Sequence, residues 1–279
     1  WSEAQEIVLT SFNELSPEIA KIASKFFENN WIDAEIRNGK DSGAYSHPCV
    51  PDVHPYILMN YNGKSRDVMT LAHELGHGVH QVLASKNGYL LADTPLTLAE
   101  TASVFGEMLV FQKLLSKADS KQEKNSMIAE KVEDMLNTVV RQIAFHNFET
   151  SFHNKRKSNE LTPDEISEIW METQSQALGD AINLDDSYKP LWSYIPHFVH
   201  TPFYVYAYAF GDCLVNSLWQ VRLSGQSSFT ESYLNLLKSG GKKHHREALA
   251  PFGLDASDPE FWNIGLNTIS SLIDELEAA

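Results

Sequence analysis

His73-Glu74-Leu75-Gly76-His77 constrains this chain more than any other feature, because two histidines four residues apart share a direction only on a helix. At about 100° per residue they lie about 40° apart on one face, one turn from each other. Their imidazoles can then converge on one cation, as a tetrahedral metal site requires. Glu74 stands beside that face, where its carboxylate reaches a metal-bound water. Leu71, Leu75, Val79 and Val82 occupy the opposite side and would bury the helix against a core. One face packs and the other is left for chemistry.

Helical spacing extends over most of the sequence. Apolar positions predict helices over about 3–29, 65–85, 98–116, 122–154, 203–223, 228–239 and 262–276. Thr162-Pro163-Asp164-Glu165 marks another start, with Thr as cap, Pro at the first helical position and Glu closing a capping box. The stretch 38–62 is rich in Gly, Ser, Pro and His. Within it Tyr56-Ile57-Leu58-Met59-Asn60-Tyr61 is a short β-like run ended by the Asn62-Gly63 turn signal. Phe145, Phe148 and Phe152 recur at helical spacing and read as core. No repeat, heptad or low-complexity linker is present. The expectation is a mainly α fold with a little sheet, in one domain spanning 1–279.

Charge and composition narrow the function. With 22 Lys+Arg against 37 Asp+Glu, the formal net charge is -15, which repels phosphate backbones and argues against nucleic-acid binding. No run of about 18 apolar residues is available for a membrane span. The N-terminal residues Trp1-Ser2-Glu3-Ala4 lack the pattern of a secretory leader. Only Cys49 and Cys213 are present, too few for a disulfide framework, so a cytoplasmic setting is expected. Cys213, in an apolar helix, reads as buried and inert; Cys49 has no evident base beside it. Lys242-Lys243-His244-His245-Arg246 is a local basic cluster, read as a solvated loop ahead of a site for a peptide's terminal carboxylate.

A third ligand is needed. The extended metzincin pattern would place Gly at position 80 and His at position 83, where this chain has His80 and Leu83, so that class is excluded. The alternative is a glutamate from a second helix, and Glu100 in Leu98-Ala99-Glu100-Thr101-Ala102-Ser103 is the candidate. The turn signals Asn87-Gly88 and Asp93-Thr94-Pro95 would return the chain antiparallel and bring it to the histidines. Glu107, two turns on, either orients a ligand imidazole or is an ordinary helix-surface carboxylate. His80 shares the histidine face but reads as supporting or structural, since one metal position is left for water.

Gly43-Ala44-Tyr45-Ser46, Pro55 through Tyr61, Thr70 through His77, Leu98 through Ser103 and His200 through Tyr208 occur in one order. Together they resemble the oligoendopeptidase F branch of the thimet oligopeptidase family of zinc metallopeptidases, over about residues 35–265. The resemblance implies a zincin-like catalytic domain with a small edge sheet. It implies one zinc held by His73, His77 and Glu100, with Glu74 as general base and proton shuttle. Its substrates would be short unstructured peptides, cut internally, with no organic cofactor. A related zinc carboxypeptidase or dipeptidase is the nearest alternative. From another class, an inactive fragment acting as a binding module is the second.

Peptide hydrolysis also needs a donor for the developing oxyanion, and the segment from Tyr194 through Tyr208 concentrates Tyr and His. The resemblance points there without fixing the register: His200 and Tyr206 are ranked first, Tyr204 and His197 behind them, and an aromatic packing stripe competes for each. The Tyr56–Tyr61 run resembles the family's edge strand beside the zinc helix, which would bind extended peptide through its backbone. Two departures stand out. The resemblance implies members roughly twice this length, with a helical N-terminal half covering the cleft, so a missing N-terminal half of the same enzyme is an expected partner. Asp41 occupies a position where the family more often has a basic residue.

Overall fold

Ser16-Pro17 divides the first predicted helix in two. Pro17 has no N–H to continue a helix and disfavours helical backbone before it, so Ser16 is extended (φ -161°) and caps the next helix, accepting from the Glu18 N–H. The computed structural model describes residues 1–278. The helices are α1 (Ser2–Leu15), α2 (Pro17–Glu28), α3 (Ser65–Ala84), α4 (Leu96–Ala99), α5 (Thr101–Lys117), α6 (Lys121–Leu136) and α7 (Gln142–Arg156). They continue with α8 (Pro163–Leu178), α9 (His197–His200), α10 (Tyr206–Leu223), α11 (Phe229–Lys238), α12 (His245–Leu249) and α13 (Pro259–Glu277). The mainly α class expected from the sequence is the class observed.

The predicted helix over 122–154 is interrupted by a π-helical turn at Asn137–Arg141. That turn changes the phase of the apolar stripe. Ile128, Val132 and Met135 of α6 lie in the main core with α1, α3, α5 and α10, whereas Phe145 and Phe148 of α7 join Trp170 and Val205 in a second cluster. No proline or glycine marks the break. The Thr162 cap is as expected: its hydroxyl accepts from the Glu165 N–H, and the Glu165 carboxylate accepts from the Thr162 N–H at 2.8 Å.

Three short strands, β1 (Ile32–Asp33), β2 (Tyr45–His47) and β3 (Tyr56–Leu58), form a sheet in the order β1-β3-β2. β1 is parallel to β3 and β2 antiparallel. The Tyr56–Tyr61 run therefore supplies the central strand rather than the expected edge. Its inward residues Ile57 and Met59 are fully buried, which seats it in the middle. β2 is the strand that lies along α3: Ser46 Oγ donates to Gln81 Oε1 at 2.9 Å, and Gln81 Nε2 donates to the Ser46 carbonyl. Among the described residues no helix is long and apolar enough to cross a membrane.

Candidate metal centre

α3 and α5 meet closely because glycines stand at their crossing. A Cβ on Gly76, the fourth residue of the HExxH motif, would fall 2.4 Å from the Ala102 carbonyl oxygen. One on Gly106 would fall 2.9 Å from the Ala72 carbonyl oxygen. Such separations leave no room for a methyl group. On the third side, a Cβ on Gly211 of α10 would meet Glu100 Cβ at 2.6 Å. Glu100 itself sits in the junction between α4 and α5 (φ -81°, ψ 0°) rather than inside one continuous helix.

This packing brings three donor atoms together. His77 Nε2 is 3.1 Å from His73 Nε2, and Glu100 Oε2 lies 3.5 Å from the first histidine's Nε2 and 3.4 Å from the second's. Among the described residues these three form the one such group of ligand-type side chains. A tetrahedral ion with bonds of about 2.0–2.1 Å sets its ligand atoms about 3.3–3.4 Å apart, so the spacing fits a metal without rearrangement. Two nitrogens and a carboxylate oxygen are a donor set suited to zinc.

The surrounding groups prepare this cluster. His73 Nδ1 donates to Glu107 Oε1 at 2.5 Å, which turns its Nε2 toward His77 and Glu100. Glu107 is thus not a surface carboxylate; it is held between His73 and the buried Lys131, whose Nζ is 3.9 Å away. Ser103 Oγ donates to Glu100 Oε2 at 2.8 Å and fixes its rotamer. Burial opposes charge on His73, but the bond to Glu107 and the carboxylates of Glu107, Glu100 and Glu74 outweigh it and push the imidazole up to about 9. Burial likewise opposes ionisation of Glu100, yet its bond to His77 and the histidine charges take it down to about 2. The carboxylates of Glu74, Glu100 and Glu107 crowd around the two imidazoles, and a dication is the kind of charge they would neutralise.

Glu74 is 4% exposed, and its Oε2 is buried with no hydrogen-bond partner. Burial raises its pKa, the histidines lowering it and the neighbouring glutamates raising it further. A carboxylate left so is poised to take up a proton. His80 is buried with Nε2 3.2 Å from Thr94 Oγ1, and burial, followed by His77, pushes it down to about 3; it stays neutral behind the cluster.

Two cavities flank the cluster. One, of about 690 Å³, has His77, Gln81, Trp31, Val53 and Tyr204 in its wall. The other, of about 560 Å³, is lined by His73, Glu74, Glu100, Asn60, Lys131 and Tyr208. Tyr204 and Tyr208 therefore reach the two cavities from either side of one ring pair, their centroids 5.2 Å apart. His197 Nε2 lies 3.1 Å from the Tyr208 hydroxyl. Burial and the Glu100 charge raise both phenols, so they remain protonated donors at neutral pH. His200 is exposed at the end of α9, and the Tyr206 ring packs against His146 of α7, 5.5 Å away. The structure brings Tyr204 to one cavity, sets His197 behind it against the Tyr208 hydroxyl, and leaves the first-ranked pair, His200 and Tyr206, outside both. Tyr208 closes the His200–Tyr208 motif but is not among the four ranked candidates. At 100° per residue Tyr204 and Tyr208 share a face that Tyr206 does not, a signal available once Glu100 is used to phase α10.

A family model described as peptidase family M3 matches residues 12–268. The chain is 30% identical to Oligopeptidase PepF of Bacillus subtilis over 279 residues, covering 99% of this chain and 41% of that protein. It is 29% identical to the chromosomal Oligoendopeptidase F of Lactococcus lactis subsp. cremoris, covering 99% and 45%. A solved chain from Chlamydophila abortus superposes with a TM-score of 0.83 at 33% identity, covering 99% of this chain and 47% of that one. Oligoendopeptidase-F from Enterococcus faecium shares the fold, with a TM-score of 0.70 at 22% identity over 99% and 43%. The chain spans less than half the length of the curated relatives it matches.

Proposed function

The chain belongs to peptidase family M3, and on that premise we propose that it is the catalytic portion of a zinc oligoendopeptidase cutting short unstructured peptides internally. The observation that carries this reading is the convergence of His73 Nε2, His77 Nε2 and Glu100 Oε2 beside an unpartnered, buried Glu74 oxygen. His73, His77 and Glu100 would hold one zinc ion. When bound, zinc would act as a Lewis acid on the peptide carbonyl and lower the pKa of water. A cytoplasmic setting belongs to the same reading, since both cysteines are free thiols.

The chain's own groups do the rest. Glu74 takes the proton of the attacking water and passes it to the leaving amine; its raised pKa suits both halves of that transfer. Glu107 keeps His73 in the tautomer whose Nε2 is free to ligate. Tyr204 and Tyr208 offer hydroxyl donors to the oxygen on which charge develops, with His197 holding Tyr208 in place. An extended peptide would lie along the sheet beside α3, its side chains entering the cavities on either side of the ligands.

The test is cleavage of an end-blocked, internally quenched peptide of ten residues by zinc-loaded protein. Internal cuts that stop on chelation support the reading, and Glu74→Gln should keep one zinc while losing turnover. Zinc bound without cleavage would sink the self-sufficient enzyme and favour a chain that needs a further helical half or serves to bind. Cleavage only of peptides with a free terminus would move the assignment to an exopeptidase. No zinc bound would refute the ligand set.

A further inference from the structure

We propose that Glu149 is a positioning residue for this reaction: its buried carboxyl group clamps the backbone of Phe203 and so sets where the Tyr204 hydroxyl stands. The proposal rests on the peptidase reading above, in which Tyr204 is a donor.

Thr201-Pro202-Phe203-Tyr204 is a turn closed by the Tyr204 N–H on the Thr201 carbonyl at 3.2 Å. Proline at its second position and a positive φ at its third are marks of a type II turn, whose third position ordinarily falls to glycine. Here that position is Phe203, at φ +61°. A bulky side chain is sterically disfavoured there, because its Cβ crowds the backbone. Packing does not account for the conformation: the Phe203 ring is 42% exposed and touches His153 in a tilted contact.

Glu149 of α7 supplies what packing does not. It is 1% exposed, and its Oε1 accepts the Phe203 N–H at 2.9 Å. Its Oε2 is buried with no partner. A buried carboxyl group with one orphaned oxygen is costly, so the bond it makes is held in a low-dielectric setting where hydrogen bonds are strong. Tyr204 follows Phe203 directly, and its carbonyl receives the Ala207 N–H at 2.9 Å, tying it to the start of α10. With the clamp removed, the turn can relax to negative φ at Phe203 and rotate the Tyr204 ring out of the cavity it shares with His77.

The experiment compares Glu149→Ala, Glu149→Gln and the double variant Glu149→Ala/Phe203→Gly in the full chain. The readouts are kcat, KM, zinc content and the ¹⁹F signal of fluorotyrosine at position 204, assigned with Tyr204→Phe. Expected are at least a tenfold fall in kcat for Glu149→Ala, a smaller change in KM, unchanged zinc and a displaced ¹⁹F signal. Glu149→Gln keeps an accepting oxygen and should stay within threefold of the parent. Glycine takes positive φ without strain, so the double variant should recover at least half of the lost activity and the parental ¹⁹F position. Parental kcat in Glu149→Ala overturns the proposal, as does loss of zinc in step with kcat or failure of glycine to restore. If the parent itself binds zinc and cuts nothing, the self-sufficient peptidase reading fails. The ¹⁹F signal then decides the clamp alone, an unmoved signal in Glu149→Ala refuting it.

Discussion

His73 Nδ1 and Glu107 Oε1 lie 2.5 Å apart across the α3–α5 interface, so the ring nitrogen turned away from the ligand cluster is already engaged. Glu107→Ala leaves His73 free to rotate and to take the wrong tautomer. Zinc affinity should fall about 10–100-fold with the fold intact, read by competition with a chromogenic chelator and by circular dichroism. Unchanged affinity would return Glu107 to the role of an ordinary helix carboxylate.

Gly76→Ala tests how tightly the two helices hold the ligands. Its methyl would stand 2.4 Å from backbone, which cannot turn aside as a flexible side chain would. The helices must separate, at a cost of about 1–3 kcal/mol or more. A lower thermal midpoint and weaker zinc binding are expected together; an unaltered midpoint would show that the crossing is looser than the distances imply.

The HExxH helix was legible because its two faces differ at helical period, and Glu100 because turn signals between residues 87 and 95 return the chain. The strand order was not legible. Alternation tells which residues of Tyr56–Leu58 face inward, but not whether neighbours pair on one side or both. Nor was the π turn at Asn137–Arg141, since it arises from the need to serve two cores rather than from a local breaker. Glu149 escaped notice because its partner is a backbone N–H 54 positions away, which no side-chain pattern records.

Asp212 of α10 carries a pH dependence of its own. Burial raises its carboxyl to about 6; Lys131 lowers it, Glu107 raises it, and the bond from Asn216 lowers it. Between about pH 4, its unfolded value, and 6 the folded chain holds a proton that the unfolded chain releases. Its contribution to stability therefore falls as pH rises through that window and stays unfavourable above it. Asp212→Asn removes the charge, and its new amide can donate to Asn216 Oδ1, which is buried without a partner. In metal-free protein the variant should gain up to about 2–3 kcal/mol at pH 7 and little at pH 4, measured by denaturant unfolding. An equal gain at both pH values would mean that the effect is packing rather than ionisation.

Tyr204 and Tyr208 share a face of the segment entering α10, whereas Tyr206 lies against His146, so three conservative substitutions separate the candidates for the oxyanion donor. Phenylalanine keeps each ring and removes only the hydroxyl. Loss of a donor used in the transition state lowers kcat by about 10²–10³ while leaving substrate binding and zinc content nearly unchanged. Tyr204→Phe or Tyr208→Phe should behave so. If the Tyr208 hydroxyl is the donor, His197→Ala should reproduce part of its loss, because His197 Nε2 is the group 3.1 Å from that oxygen. Tyr206→Phe and His200→Ala should stay within a few-fold of the parent. A large kcat loss in Tyr206→Phe with Tyr204→Phe and Tyr208→Phe near normal would mean that α10 turns on substrate binding, and that the donor is recruited from the face now packed on α7.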